Sequence, residues 1–251
     1  MRVAVVGKGG AGKSVITGTL ARALARCGQR VLAFDSDTMP GLARSLGIEE
    51  CAEPPLREAA ERPEGGRWQL KAGIGPVTAV RRYARTAPDG VLLLQIGKWG
   101  AAAKDDRASF QASTVAYRNV VRRILEAQTF RDWALVGDTA AGTRHLAGGY
   151  AAFAETYLVV VEAGWQSVLT ARRVARLVRV RERRAVLVAN KVRGAADRRL
   201  IEERLGEPVL AAIPFDPEVA EAARLGVALL DHAPRSRGAR AIERLADEIG
   251  R

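Results

Sequence analysis

The sequence predicts an α/β fold in which helices cover both faces of a mostly parallel sheet. Short apolar runs rich in β-branched residues alternate with longer segments of helical periodicity, which is the pattern of repeated βαβ units. The runs are apolar throughout, as in residues 158–161, and this is typical of strands buried on both faces. A chain of 251 residues, 48% of them hydrophobic, suits one large domain, so we expect a single domain over 1–251.

The strands and helices can be placed in order from these runs. The predicted strands are residues 3–6, 30–34, 91–96, 133–136, 156–161, 185–189 and 208–213. The predicted helices are residues 15–26, 109–128, 165–182, 196–205 and 238–249. Residues 49–90 contain repeated prolines and glycines, so we interpret them as an irregular excursion from the core rather than a second domain.

Charge and composition exclude some classes of protein and leave one question open. The net charge is +12, from 40 Lys and Arg against 28 Asp and Glu, which suits nucleic acid or an anionic surface as a partner. The alternative is that the arginines, which are spread along the chain, only cover solvated helix faces. No apolar run approaches the roughly 20 residues that span a bilayer, and Cys27 and Cys51 do not suggest a disulfide framework. We therefore expect a cytoplasmic protein with no membrane partner.

A glycine-rich loop lies between the first predicted strand and the first predicted helix. It matches G-x-x-x-x-G-K-[ST] at every fixed position, through Gly7, Lys8, Gly9, Gly10, Ala11, Gly12, Lys13 and Ser14. Glycines let successive amides turn inward towards phosphate oxygens, and the helix that follows adds its positive end. The pattern therefore predicts a P-loop NTPase domain, in which Lys13 reaches the terminal phosphates, Ser14 binds Mg²⁺ and Val15 completes the nucleotide site. The alternative is a glycine-rich turn with no ligand.

Carboxylates follow two of the predicted strands. Asp35 and Asp37 come after the second strand, and Asp138 follows the run 133–136 closely. Ligands of parallel sheets lie beyond the carboxyl ends of the strands, so these side chains should face the phosphates. We expect Asp138 to hold Mg²⁺ through a water molecule, and Gly142 to be the hinge of a second switch that starts at Asp138. The alternative for residues 35–37 is a cap of a short helix near 41–46.

Two later loops are candidates for binding the base of the nucleotide. Asn190, Lys191 and Arg193 stand at the positions of N-K-x-D in guanine-binding proteins, but Arg193 is a donor and cannot accept hydrogen bonds from guanine. ATP is therefore preferred, with Asn190 reading the adenine edge and Lys191 beside it. The residues expected to pack next to the base are Pro214, Phe215 and Asp216. A plain strand–turn pair is the alternative.

The phosphate loop, with its additional lysine at position 8, resembles that of the MinD/ParA/nitrogenase-iron-protein ATPases, which have a deviant Walker A loop. The resemblance implies a homodimer bridged by ATP, in which Lys8 reaches the nucleotide of the other subunit and acts in catalysis together with Lys13. It also implies that Asp37 orients the attacking water and that Asp35 serves Mg²⁺ or the dimer contact. Thr38 stands where the family usually has proline, which is a departure from the pattern.

Later runs are similar to one branch of that family, the CooC-type ATPases that insert nickel into carbon monoxide dehydrogenase. The similar runs are residues 138–146, 161–173, 190–194 and 213–217. CooC-type proteins carry a C-x-C pair shortly after the third predicted strand, where two subunits bind a metal with soft thiolates. This chain has no cysteine in residues 97–106, and Arg144 replaces a glutamate of the branch. We therefore expect no transition metal at that position.

These observations favour one function and leave two alternatives. We expect an Mg²⁺-dependent ATPase that works as a dimeric switch on a partner protein, such as a metalloenzyme during maturation. One alternative is a ParA-like ATPase that binds DNA nonspecifically when ATP is bound, which the +12 charge favours. The other is a binding module that has lost hydrolysis, and the presence of Lys8, Asp37 and Asp138 argues against it.

Overall fold

A parallel sheet forms the centre of the protein, as seen in a computed structural model that describes residues 1–37, 41–51, 55–64, 66–95 and 119–250. The strands of these ranges are β1 (Arg2–Gly7), β2 (Val31–Asp35), β3 (Ala60–Glu61), β4 (Gln69–Leu70), β5 (Arg85–Thr86), β6 (Leu92–Gln95), β7 (Ala134–Asp138), β8 (Thr156–Val161), β9 (Arg184–Val192) and β10 (Ala211–Pro214). Eight of them form one sheet in the order β10-β9-β8-β1-β7-β2-β6-β5. All pairs in it are parallel except the edge pair of β5 with β6.

Helices cover both faces of this sheet. They are α1 (Lys13–Arg26), α2 (Leu42–Leu46), α3 (Pro76–Tyr83), α4 (119–125), α5 (Arg144–Ala147), α6 (Trp165–Val180), α7 (Ala195–Leu205), α8 (Pro217–Leu225), α9 (Leu229–His232) and α10 (Arg237–Ile249). Side chains of α1, α2, α9 and α10 fill the core on one face. Side chains of α3, α4, α6 and α7 fill the core on the other. No helix in the described ranges is both long and apolar enough to cross a membrane.

The central strand β1 shows why the apolar runs are continuous. Val3 and Val5 point into the core under α1, whereas Ala4 and Val6 point into the core under α6. All four side chains are at most 1% exposed, because successive residues of a strand face opposite sides of the sheet. Full burial of a valine stabilises the fold by roughly 1.5–3 kcal/mol. The predicted α/β class, with a mostly parallel sheet and helices on both faces, is confirmed.

Three predicted boundaries differ from the structure by three residues each, and the others in the described ranges by less. The helix predicted over 109–128 ends at residue 125, because Ala127 has an extended backbone before the 3₁₀ turn Gln128–Phe130; residues 109–118 lie outside the described ranges. The strand predicted over 185–189 continues to Val192, since it pairs with β8 and then with β10. Gly206 caps the end of α7, and the strand predicted over 208–213 begins only at Ala211.

The excursion at residues 49–90 contains short ordered elements that the sequence did not reveal. Strands β3 and β4 pair antiparallel, α3 begins with Pro76, and β5 joins the edge of the main sheet. Leu56 and Val80 are buried in the same core as Leu94 of β6. The described part of the excursion therefore packs onto the sheet, while residues 52–54 and 65 lie outside the described ranges.

Candidate nucleotide-binding site

The phosphate loop leads from β1 directly into α1. Gly10 and Gly12 have φ angles of 78° and 89°, a left-handed conformation that strains residues with a side chain. Gly12 is the residue before α1, which begins at Lys13, and a glycine has no side chain with which to cap the first amides of a helix. These amides and the positive end of the helix are therefore left for an anion.

Two side chains of β9 hold the carbonyl groups of this loop. Asn190 Nδ2 donates to the Ala11 carbonyl at 2.7 Å, and Lys191 Nζ donates to the Gly10 carbonyl at 2.7 Å. Lys191 also forms an ion pair with Glu162, just after β8. Because Asn190 is only 8% exposed, water competes little for its bond. The loop is thus fastened to β9 without any ligand.

The two lysines of the loop differ in environment. Lys13 is 8% exposed, and its Nζ donates to the Lys8 carbonyl at 3.2 Å. The Lys8 side chain is partly exposed and forms no hydrogen bond or ion pair with other described residues. Lys13 is therefore buried in the phosphate loop, while Lys8 is partly exposed to solvent.

Three polar side chains form a row across adjacent strand ends, and we call Asp138, Asp35 and Gln95 the strand-end row. In the register of the sheet Asp35 is the partner of Asp138 on β7 and of Gln95 on β6. All three are at most 4% exposed. Residues two positions earlier on each strand belong to the core under α1, so by the two-residue period the row faces α1. The hydroxyl of Ser14, on α1, donates to Asp138 Oδ2 at 2.5 Å.

The strand-end row keeps acceptors that have no partner. Gln95 Oε1 and Asp138 Oδ1 are buried and form no hydrogen bond with any described residue, a situation that costs about 1–3 kcal/mol per group. Both are hard oxygen acceptors, which suit the waters and the inner shell of Mg²⁺. Among the described residues no three His, Cys, Asp or Glu side chains come together as a ready metal site. Mg²⁺ needs no such cage when it shares phosphate oxygens and keeps waters, so the residues present fit this ion.

Gln95 was not predicted as a site residue. Carboxylates after strands are the usual signal of an Mg²⁺ site, and an amide at the end of an apolar run does not give that signal. The available signal was its position, because β6 ends beside β2 and Gln95 ends its run as Asp35 ends the run before it. Residues 96–118, which follow and include the region of the missing C-x-C pair, lie outside the described ranges.

Burial raises the pKa of both carboxyl groups in the row. Burial, with a further contribution from the charge of Asp138, raises the pKa of Asp35 to about 8. Burial also raises the pKa of Asp138, to about 6, although the Ser14 hydroxyl and the charge of Lys13 oppose the rise. In the free protein near neutral pH, the row therefore retains a proton that a bound cation would displace.

Asp35 holds both ends of the segment 37–42, which we call the first switch. The carboxyl group of Asp35 accepts a hydrogen bond from the amide of Asp37 at 3.0 Å. It accepts another from the amide of Leu42, the first residue of α2, at 3.2 Å. The interpretation of residues 35–37 as a helix cap is thus partly correct, since Asp35 does bind the start of α2. Asp37 is half-buried, and Thr38 lies outside the described ranges.

The second switch contacts the phosphate loop. The amide of Gly142 donates to the Gly7 carbonyl at 3.0 Å, and the Thr139 hydroxyl donates to the Val5 carbonyl at 2.8 Å. Gly142 has a φ of 83°, so the hinge predicted there has the left-handed backbone that glycine permits. A change in the conformation of the phosphate loop would be transmitted to the second switch through the hydrogen bond between Gly142 and Gly7.

A cavity of about 270 Å³ lies beside the loop at the expected place of the base. Its lining includes Gly10, Gly12, Val15, Asn190, Lys191, Pro214, Phe215 and Asp216. The guanidinium of Arg193 lies 5.6 Å from the centre of the Phe215 ring, a cation–π contact. Arg193 therefore stacks on one wall residue of the cavity.

Two residues at this cavity also have structural tasks that the sequence did not indicate. Asn190 lies within β9 rather than after it, and its amide nitrogen is used on Ala11. Asp216 caps α8, because its carboxylate accepts the amides of Glu218 at 3.1 Å and Gly238 at 2.6 Å. Burial alone would raise the pKa of Asp216, but these hydrogen bonds hold it below its usual value. The Asp216 carboxylate is thus engaged in structure.

The fold and the site together define a P-loop nucleotide-binding protein. The chain belongs to the CobQ/CobB/MinD/ParA nucleotide binding domain family, which matches residues 3–229. It is 30% identical over 253 residues to the carbon monoxide dehydrogenase accessory protein CooC of Rhodospirillum rubrum, covering 94% of this chain and 92% of that protein. It is 27% identical to an uncharacterized ATP-binding protein of Methanocaldococcus jannaschii, covering 99% and 97%.

A solved structure shows the same fold. The septum site-determining protein MinD of Pyrococcus horikoshii, complexed with Mg-ADP, aligns with a TM-score of 0.74 and 20% identity over 98% of this chain and 94% of that one. The predicted membership in the MinD/ParA ATPases, with similarity to CooC, is confirmed. The roles of individual site residues stay predictions.

Proposed function

We propose that this chain is an Mg²⁺-dependent ATPase that works as a dimeric switch. The observation that carries the proposal is the hydrogen bond from Ser14 Oγ to Asp138 Oδ2, because it joins the phosphate loop to the carboxyl end of β7. A P-loop hydroxyl and a strand-end carboxylate are the residues that hold Mg²⁺ in P-loop NTPases. When bound, Mg²⁺ neutralises charge that develops on the phosphates.

The loop binds the triphosphate with groups that already point to it. Lys13 exchanges its bond to the neutral Lys8 carbonyl for bonds to phosphate oxygens, in which donor and acceptor carry opposite charges. Asn190 keeps its amide nitrogen on Ala11 and offers its amide oxygen to the amine of adenine. The stacked pair of Arg193 and Phe215 offers no acceptor for the ring N–H and amino groups of guanine, so adenine is preferred.

Asp37 is the residue that we assign to the attacking water. Its carboxylate accepts a hydrogen bond from the water and so directs the water oxygen towards the terminal phosphate. Asp35 binds the amides of both Asp37 and Leu42. A movement of Asp37 that follows loss of the terminal phosphate is therefore transmitted to α2.

Dimerisation supplies Lys8 to the nucleotide of the other subunit. Its partial exposure and its lack of a partner among the described residues support this role, as does the resemblance to ATPases with a second loop lysine. A relative named as an accessory protein of carbon monoxide dehydrogenase favours a partner that is a metalloenzyme. The absence of cysteine from residues 97–106 separates this chain from the thiolate metal platform of that branch.

Turnover and self-association with matched lysine variants test the proposal. Asp37→Ala should keep ATP affinity and lose on the order of 10²-fold in turnover, and Lys8→Ala should lose both turnover and ATP-dependent dimer in light scattering. Lys71→Ala is the control, since Lys71 is an exposed lysine outside the site. Equal turnover in wild type and Asp37→Ala, or a dimer that ignores ATP, would refute the mechanism.

A further inference from the structure

The solvent face of α6 carries an aromatic residue and arginines in one stripe. Trp165, Arg172, Arg176 and Arg179 recur at spacings of seven, four and three residues, which places them on one side of the helix over about 21 Å. All four are exposed, and Trp165 is 52% exposed. We call these four residues the α6 stripe. The opposite side of α6 is buried against the sheet, and the helix contains no acidic residue.

Most of the charge in the α6 stripe is not neutralised. Arg172 and Arg176 form no ion pair or hydrogen bond through their side chains with any residue in the described ranges, whereas Arg179 pairs with Glu207. Like charges four residues apart on a helix repel each other and destabilise it. Carboxylates of a partner would relieve this repulsion and would meet arginines in the two-pronged geometry that these side chains favour.

Trp165 is held in position for contact. The guanidinium of Arg204, on α7, lies 5.6 Å from the centre of its ring, and Arg204 donates a hydrogen bond to the Ala163 carbonyl at 3.0 Å. An exposed tryptophan restrained in this way loses little entropy when it is covered. Tryptophan and arginine are the residues most enriched where protein interfaces gain their energy.

Both ends of α6 are tied to the nucleotide site. At its start, the Ser167 hydroxyl accepts the amide of Glu162 at 2.9 Å, and Glu162 pairs with Lys191, which holds the phosphate loop. Just after its end, Arg181 donates to the Leu146 carbonyl of α5 at 2.6 Å. The α6 stripe therefore lies on the element that joins the phosphate loop to the second switch.

We propose that the α6 stripe docks a protein partner through an acidic surface that also bears apolar side chains. Nucleic acid is the other polyanion to consider. Trp165 lies at the start of α6, and Val180, which is 75% exposed, lies beside Arg179 at its end. A phosphate backbone makes no contacts that would bury these apolar groups. Glu182 and Glu207 lie near Arg179, at the C-terminal end of the stripe, and would repel a continuous phosphate chain. A folded acidic patch can avoid both carboxylates.

Three labelled probes test this proposal on the full chain by fluorescence anisotropy. The first is a helical peptide with glutamates and leucines on one face, the second has serines in place of the leucines, and the third is a short duplex DNA. The variants are Arg172→Glu/Arg176→Glu and Trp165→Ala. The control is Arg240→Glu/Arg244→Glu, a pair with the same spacing and exposure on α10. Circular dichroism checks that each variant is folded.

The proposal expects the glutamate–leucine peptide to bind best. Its affinity should fall on the order of 10-fold in Arg172→Glu/Arg176→Glu and in Trp165→Ala, and by less than about 2-fold in the control pair. Equal losses in the control pair would mean that net charge alone attracts the peptide and would overturn the proposal. Failure of the glutamate–leucine peptide to bind would overturn the proposal and show that there is no such site. Tighter binding of the duplex DNA that the α6 variants abolish would overturn it in favour of a nucleic-acid site.

Discussion

The phosphate loop and the strand-end row lie side by side, yet they are built in opposite ways. The loop carbonyls of Gly10 and Ala11 already accept bonds from β9, so the loop is in order before any ligand arrives. The row keeps buried acceptors without partners among the described residues and carboxyl groups with raised pKa values. This comparison teaches that the proposed phosphate site is preorganised, whereas the proposed cation site keeps buried acceptors that an ion would satisfy. Substitutions should therefore destabilise the free protein in the loop and stabilise it in the row.

The largest effect is expected at the start of α1. Gly12→Ala places a Cβ in a left-handed backbone, 2.5 Å from Asn190 Nδ2, so we expect the free energy of unfolding to fall by about 3 kcal/mol. Urea denaturation measures this loss. The double variant Gly12→Ala/Asn190→Ala should lose less than the sum of the single variants, because the clash is removed. Strict additivity would show that Asn190 does not restrict the loop.

The pH dependence of stability probes the row. The pKa of Asp35 rises from its ordinary value of 3.8 to about 8 on folding, so its contribution is fully present below 3.8 and is lost as pH rises through about 8. We expect the free energy of unfolding of the nucleotide-free protein to fall on the order of 2 kcal/mol between about pH 5.5 and about pH 8.

Carboxyl groups whose pKa is lowered, such as Asp89 and Asp216, act in the opposite direction, but their effect is confined to more acidic pH. Asp35→Asn is the matched control and should flatten the profile, since the amide does not titrate. A wild-type stability that increased from about pH 5.5 to about pH 8 would contradict the account of the row.

A smaller loss is expected from the loop's tie to β9. Asn190→Ala leaves the buried Ala11 carbonyl without its donor, which should cost about 1–2 kcal/mol in urea denaturation. Asn119→Ala on α4, where the side chain has no comparable tie to the loop, is the control and should change stability by less than about 0.5 kcal/mol. Equal losses of stability in the two variants would show that the hydrogen bond to Ala11 does not stabilise the fold.

The smallest effect should have the opposite sign. Gln95→Leu removes a buried acceptor without a described partner and introduces an apolar side chain of similar size. We therefore expect the free energy of unfolding of the free protein to rise by up to about 1 kcal/mol. The same change should weaken Mn²⁺ binding in the presence of ATP, followed by electron paramagnetic resonance. Gln69→Leu, at an exposed glutamine, should alter neither quantity. Loss of stability in Gln95→Leu would show that the amide is already satisfied.

The sequence predicted the parts of the fold and site that depend on local pattern. The buried strands β1, β2 and β8 were found because they are continuous apolar runs, and the phosphate loop was found because its glycines, Lys13 and Ser14 have fixed spacing. The helix α3 and the strands β3 to β5 were not found, since elements of two to eight residues give too short a period among prolines and glycines.

What the sequence could not predict depends on contacts between distant segments. That Asn190 holds Ala11 follows from β9 lying over the loop, 179 residues away in sequence. That Asp216 caps α8 and binds the start of α10 follows from how these helices pack. The part played by Gln95 depends on the order of β6, β2 and β7, which periodicity does not provide.

Calorimetric titration of ATP into wild type and Asp138→Asn, each with Mg²⁺ and with a chelator, tests the central claim most directly. The account predicts that both proteins bind ATP in the chelator, because the loop is preorganised. It also predicts that Mg²⁺ tightens binding on the order of 10-fold in wild type and leaves Asp138→Asn unchanged. Equal tightening in both proteins, or no binding of ATP to the intact loop, would contradict it.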